Sequence, residues 1–463
     1  MRKYKFIKYI ILTGYLILSL SGCEKDWLDE KSDINMVVPE TIKDFQALLD
    51  NVYEVNRNYS FFGNVATDNY FVEDDDLGAL FEYERNMYSW DKEIVWSNGV
   101  SNEWNYPYEV VGYANQVLEG LDNIDTKEIG YNNLKGQAYF YRAFAYFNLS
   151  QVFCKPYDKN TAVSDLGLPI RLSADVNEIK KRSSLEALYL QIISDATKSL
   201  ELLDQTPKYI QRPSKVAANA LLARVYLMMD DFEKALLFAD EVLKFKGTLI
   251  DFNNPELVSH TYAYKFPARG IGNPEIIFYV FSNPQSFAVT YVGNSVQASQ
   301  ELYNLYDNND LRKEFFFYSD GTRLNYVSNY TGTFYGFGGL SVNEIILIRA
   351  ECNARLNHLE LANKDLNDLL RNRYKEGFFD EKVYENRDVL LKVILEERRK
   401  ELPQNGNVRW EDLRRLNKYS EHQITLSRVI NGQTRSLPPN DTRYVLPIPE
   451  NEIRISGLEQ NIR

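Results

Sequence analysis

The chain is poor in the residues that build metal centres and disulfide frameworks, with three cysteines and three histidines in 463 residues. So few thiols cannot staple a body of this length. Cys154 and Cys352 fall in or just after apolar helical patterns and read as buried thiols, neither a redox pair nor metal ligands. His260, His358 and His422 lie far apart, without the spacing to cysteine or carboxylate that a zinc site needs. The acidic run Glu73-Asp74-Asp75-Asp76 lacks the alternating ligands and distal glutamate of a calcium loop and reads as a solvated stretch, so no metal is expected. Basic charge is also short: 53 Lys and Arg against 65 Asp and Glu give −12, which argues against a nucleic-acid partner. There is no Gly-x-Ser-x-Gly elbow and no Gly-x-x-x-x-Gly-Lys phosphate loop. With 65 acidic residues, carboxylate pairs arise by chance, so their abundance does not indicate a glycosidase. The expectation is a protein that is not an enzyme and carries no cofactor.

Long apolar runs are missing as well, and the one short run is informative. Arg2, Lys3, Lys5 and Lys8 precede the mostly apolar stretch Tyr9 to Leu20, too short for the roughly 20 residues that span a bilayer but suited to a signal-peptide core. Leu20-Ser21-Gly22-Cys23 follows and resembles a lipobox, in which the cysteine is acylated, palmitate included, and the chain is cut just before it. Residues 1–22 then form a lipoprotein signal peptide. Their loss removes four basic residues and takes the charge from −12 to −16. Residues 23–40, with Glu24, Asp26, Asp29, Glu30 and Asp33, read as a polar tether, and residues 41–463 as an anchored body.

Within the body a short helical pattern runs from Ile42 to Val55, followed by an irregular stretch to Val100. Beyond it, Leu134, Ala138, Tyr141, Ala145 and Leu149 form an amphipathic stripe. Ser183-Ser184-Leu185-Glu186 has the pattern of a capping box opening the next helix. Two later segments match each other: Ala223 with Ala235 across Asp230-Asp231, and Ala350 with Ala362 across Asn357-His358. Alanines twelve residues apart around a tight turn let two antiparallel helices approach closely, as in tetratricopeptide hairpins. The expected fold is therefore mostly α: a helix-hairpin scaffold over 101–245 and 341–416, interrupted by a large irregular insertion at 251–340. That insertion holds 20 aromatics in 90 positions, with Pro255, Pro267, Pro274, Pro284 and a glycine cluster that exclude long helices. Long aromatic loops on a rigid scaffold are where binding surfaces are commonly built, although most such rings seal loops onto the scaffold.

A set of phrases in fixed order resembles the SusD/RagB family of nutrient-binding lipoproteins. They are Trp104-x-x-x-Tyr108 with Asn115; Ala138-Tyr139-Phe140-Tyr141-Arg142-Ala143; Gly167-Leu168-Pro169-Ile170; and Tyr189, Ile192 and Asp195 on one helix. Then come Arg212-Pro213-Ser214-Lys215, Asn273-Pro274-Glu275, Glu397-Arg398-Arg399 and Arg409-Trp410-Glu411-Asp412-Leu413, with Pro447-Ile448-Pro449 and Gln460-Asn461 near the end. Phe153-Cys154 stands where the family usually has Phe-Gly, and Pro403-Gln404-Asn405-Gly406-Asn407-Val408 replaces its usual aromatic, acid and glycine, so local turns are expected to differ. The resemblance implies a SusD-like fold whose tetratricopeptide-type scaffold faces a TonB-dependent, SusC-like outer-membrane transporter. It also implies a loop-built oligosaccharide site facing the cell exterior. For that site Tyr70, Trp90, Trp96, Tyr291 and Tyr335 are candidates for ring faces, and Asp68, Asn69 and Asn294 for sugar hydroxyls. Trp104, Tyr108 and Trp410 read as core. Peptide cargo, a lipid-anchored scaffold for other envelope proteins, and a surface hydrolase remain the alternatives.

Overall fold

Small side chains set the spacing of the helices. Ala223, Ala235, Ala350 and Ala362 are all fully buried, each where two helices meet. In the computed structural model, which describes residues 39–463 apart from 262 and 284–286, the principal helices are α1 (Ile42–Leu49), α2 (Asn102–Gly120), α3 (Tyr131–Phe153), α4 (Leu185–Leu202), α5 (Lys215–Met228), α6 (Phe232–Phe245), α7 (Val342–Arg355), α8 (Leu359–Arg371), α9 (Arg387–Glu401) and α10 (Val408–Leu416). Cys23 and the lipobox lie outside the described residues. Among the described residues no helix is long and apolar enough to cross a membrane.

The two hairpin turns have the same physical basis. Asp230 (φ 59°) and Asn357 (φ 65°) occupy the left-handed region, which short polar side chains tolerate best after glycine. Asp231 then caps α6 by accepting from the Lys234 amide at 3.2 Å. The cap of α4 differs from the expected Ser183–Glu186 box. Ser184 is the N-cap, accepting from the Ala187 amide at 3.1 Å, while Ser183 donates to the Leu168 carbonyl at 2.9 Å. The pattern from Ile42 to Val55 also divides, into α1 and a short helix Val52–Val55, with α1 ending at Asp50.

The helices pack in series, α2 on α3, α3 on α4, α4 on α5 and α5 on α6. The series continues across the insertion, because α6 packs directly on α7, which packs on α8 and α9. The array is thus interrupted in sequence and continuous in space. One buried cluster ties three helices: Arg142 of α3 makes two 2.8 Å hydrogen bonds to Asp195 of α4 and one of 2.8 Å to Asn115 of α2. Cys154 and Cys352 are buried and unbridged, and burial pushes the Cys154 thiol up to about 11.

Among its described residues the insertion contributes short strands and two short α-helices, Gln300–Tyr303 and Arg312–Phe316. β1 (Tyr70–Val72) pairs antiparallel with β3 (Val296–Ala298), and β2 (Ile276–Phe278) with β4 (Leu340–Ser341). Gly339 has no room for a side chain, since a Cβ there would strike the Phe278 carbonyl. Buried ion pairs lock this layer to the scaffold. Arg373 reaches Glu275 at 2.9 Å and Glu401 of α9 at 2.8 Å, while Arg312 reaches Asp310 at 2.7 Å and Glu397 at 2.6 Å. Such pairs add little net stability over an apolar core, but removing one partner strands a buried charge at several kcal/mol.

Candidate functional site

The structure divides the expected site residues into two groups. Trp90 and Trp96 were expected to offer ring faces, yet each is only 2% exposed. The Trp90 indole donates to the Ala66 carbonyl at 3.0 Å, and the Arg428 guanidinium lies 4.5 Å from its ring. The Trp96 indole donates to the Pro447 carbonyl at 3.1 Å, with its ring among Phe62, Tyr83 and Phe153. Neither indole has a face open to a sugar, because their irregular segment folds inward and seals the core with them. Tyr70 is buried against Tyr326 and Phe287, and burial pushes its hydroxyl well above the ordinary range.

The polar candidates are also committed to internal partners. Asp68 accepts two hydrogen bonds from Arg409, at 2.8 and 2.7 Å, and pairs with Arg399 at 3.1 Å. Burial works against the Asp68 charge, but the two guanidiniums outweigh it and hold the carboxyl well below the usual range. Asn69 accepts from Arg399 at 3.0 Å, and the Asn294 side chain accepts from the Val296 amide at 3.2 Å. These residues fix the backbone beneath the insertion, with Asn69 and Asn294 buried and Asp68 mostly covered.

Tyr291 and Tyr335 belong to the second group. An antiparallel bridge pairs Val289 with Tyr335, and the Thr290 amide donates to the Phe334 carbonyl at 2.7 Å, so the Tyr291 and Phe334–Tyr335 backbones run side by side. Tyr291 is 46% exposed and Phe334 38%. Tyr335 is half-buried, with its ring 4.0 Å from Phe334 and 5.4 Å from Phe281. Phe281 continues edge-on to Tyr53 at 5.9 Å and lies tilted against Tyr279 at 5.8 Å. Phe334, Tyr335, Phe281 and Tyr53 therefore form a ladder whose two ends, Phe334 and the 52% exposed Tyr53, are open to solvent.

The backbone explains why these rings are held. Phe281 donates its amide to Asn56 at 3.1 Å and bridges to Phe337, so it links the Tyr53 helix to the glycine-rich turn. At Gly336 a Cβ would lie 2.8 Å from the Ala288 carbonyl, and at Gly338 it would enter the Phe61 ring. Only glycines let the turn settle closely enough to present Phe334 and Tyr335.

Two cations border the ladder. The Arg57 guanidinium lies 5.3 Å from the Tyr53 ring centre. Burial pushes the Tyr279 hydroxyl well above its ordinary range, and the nearby charge of Arg269 opposes that rise. Flat apolar faces beside fixed donors suit a ligand that alternates C–H surface with polar groups. Tyr53, Arg57, Arg269, Tyr279, Phe281 and Phe334 were not among the residues expected from the sequence. Their faint signals were Arg57 four residues after Tyr53, and a ring pair flanked by Gly332 and Gly336. A separate groove of about 440 Å³, lined by Tyr108, Tyr113, Arg171, Val176, Lys180 and Glu452 among others, shares no residue with the ladder.

Comparison with known proteins bears on the whole body. A profile described as starch-binding associating with outer membrane, SusD-like, matches residues 26–227, and the SusD family profile matches residues 342–462. SusD-like protein P2 of Formosa agariphila is 32% identical over 242 residues, which is 51% of this chain and 45% of that relative. The match thus spans under half the length of that curated relative. A SusD superfamily crystal structure from Bacteroides thetaiotaomicron superposes with a TM-score of 0.72 at 22% identity, covering 91% of this chain and 100% of the other. A SusD superfamily structure from Bacteroides fragilis gives 0.71 at 20% identity, covering 92% and 99%. A laminarin-binding SusD-like protein gives 0.64 at 17% identity, covering 91% and 99%.

Proposed function

The chain belongs to the SusD family, and from that premise we propose that it captures an oligosaccharide on the Tyr53–Phe281–Tyr335–Phe334 ladder. In this reading it hands the cargo to a TonB-dependent, SusC-like outer-membrane transporter. It is a binding protein rather than an enzyme, held on the outer membrane facing the exterior by lipid on Cys23, with residues 23–40 as tether. The scaffold helices over 101–245 and 341–416 serve the transporter, and the insertion at 251–340 serves the ligand.

The observation that carries the reading is the solvent-open ring ladder itself, with Tyr335 as its expected member and exposed Tyr291 on the neighbouring backbone. Asp68, Asn69, Tyr70 and Asn294 tie the insertion to the scaffold, and Trp90 and Trp96 stabilise the core. One partly covered ring contributes on the order of 1–2 kcal/mol, so two or three rings, after association costs, give a dissociation constant of roughly millimolar order. Weak capture suits a protein that must release what it binds. The laminarin-binding neighbour lends the glycan reading further support.

The test is a calorimetric binding screen of the full chain, purified in detergent, against plant, microbial and host glycans. Saturable binding to one class with no product released is the expected result. Silence across the panel would overturn glycan capture, and binding to peptides instead would replace it. Co-purification of a barrel transporter from the native membrane tests the partner.

A further inference from the structure

Many buried arginines of this protein are matched to carboxylates, and others, such as Arg414 and Arg428, to backbone carbonyls. Arg142 meets Asp195, Arg373 meets Glu275, Arg409 meets Asp68 and Arg415 meets Glu351, all within 3 Å. Acid is available in excess, with 65 Asp and Glu against 53 Lys and Arg. The half-buried Arg57 and the exposed Arg269 have neither kind of partner. Among the described residues, neither side chain enters an ion pair or a hydrogen bond, and both border the ring ladder.

Arg57 is half-buried, with its Nε shielded from solvent and without a partner. Its guanidinium lies 5.3 Å from the Tyr53 ring centre. A guanidinium there loses water without gaining an anion, a cost that a ligand anion would remove. Arg269 sits at φ 56°, unusual for a residue with a long side chain. Gly270 beside it has no room for a Cβ, which would lie 3.1 Å from the Tyr279 ring. The turn is thereby packed against Tyr279, whose hydroxyl lies within reach of the Arg269 charge. Two uncompensated cations thus flank one set of rings on an otherwise acidic protein.

We infer that the cargo of this shelf is an anionic oligosaccharide, its carboxylate or sulfate groups held by Arg57 and Arg269 while its sugar faces lie on Phe334, Tyr335 and Tyr53, the rings that buried Phe281 joins. The inference rests on the capture reading and narrows it to a substrate class. Guanidinium forks bind both oxyanions through paired donors, and low surrounding polarity strengthens the contact. The Tyr53 ring adds attraction for the Arg57 guanidinium above it.

The experiment is calorimetric titration of the full chain in detergent with three probes: an oligogalacturonate, a sulfated carrageenan oligosaccharide and a neutral laminarin oligosaccharide. Wild type, Arg57→Gln, Arg269→Gln, Arg57→Lys and Phe334→Ala are compared, with thermal melts confirming that each is folded. The expected result is preference for a charged probe, weakened about tenfold by each glutamine variant and partly restored by Arg57→Lys. Binding should also weaken as sodium chloride rises. The preferred charged probe tells carboxylate from sulfate. Binding to the neutral probe alone, lost in Phe334→Ala and unchanged in both glutamine variants, overturns the charge assignment and leaves capture standing. Silence towards both charged probes overturns the charge assignment, and silence towards all three together with the wider glycan panel overturns capture as well.

Discussion

Substituting Asp68 by asparagine separates a structural carboxylate from a ligand-binding one. Its charge faces Arg409 at 2.7 Å and Arg399 at 3.1 Å, with its side chain 14% exposed and theirs about a tenth. At an effective dielectric near 20, each such pair is worth about 4 kcal/mol of attraction before desolvation is subtracted. The amide of the Asp68→Asn variant would keep one acceptor and turn a donor towards a guanidinium, leaving both cations largely buried. Breaking a buried pair from one side costs about 3–5 kcal/mol, and that is the loss expected here. Urea denaturation at neutral pH measures it directly. The pH dependence supplies a second check. Because the folded carboxyl is held below its ordinary range, its contribution is complete above the unfolded value of about 4 and is lost as pH falls through the folded one. The gap between wild type and Asp68→Asn should therefore be level from weakly acidic to neutral pH and narrow in stronger acid. Ligand affinity of the folded variant should be unchanged. A variant as stable as wild type but unable to bind would refute the reasoning and restore Asp68 as a ligand contact.

Glu411 offers the opposite pH signature: burial pushes its carboxyl from 4.5 up to about 7, with Arg224 opposing and Glu344 and Asp412 reinforcing. Between those values the folded protein holds a proton that the unfolded chain has released, so stability falls as pH rises, by roughly 3 kcal/mol over the window. Glu411→Gln should remove that decline, its urea midpoint overtaking wild type progressively from pH 4.5 to 7, and parallel midpoint curves would count against it. Trp90→Ala should cost about 3–5 kcal/mol through the cavity and the lost bond to Ala66, while leaving glycan affinity of the folded fraction intact. Loss of binding at full stability would return Trp90 to the site.

The mostly α, hairpin-built fold was legible because its signals are local: paired alanines, short polar residues at left-handed turns and apolar stripes at helical spacing. The continuity of α6 with α7 was not, since a contact across the insertion leaves no periodic trace. The charge network was hidden for a related reason. Arg312, Arg373, Arg398 and Arg415 sit in segments that look solvated, and only tertiary packing places a carboxylate opposite each. At the site, an aromatic in an irregular segment either seals a loop or faces solvent, and composition does not separate the two. Trp90 and Trp96 seal; Phe334, at the tip of a glycine turn, is open. The ladder joins residues from positions 53, 281 and 334–335, a juxtaposition set by the Asn56–Phe281 and Phe281–Phe337 backbone contacts.

The most direct test of the ring ladder is the affinity of a Phe334→Ala, Tyr335→Ala double variant for the glycan that wild type binds, measured with its melting temperature. Loss of exposed Phe334 and half-buried Tyr335 should weaken binding by at least about tenfold, with the melt lowered only modestly because Phe334 contributes little to the core and Tyr335 only packs at its edge. Wild-type affinity in the double variant would contradict capture on this shelf and move the search to another surface of the insertion.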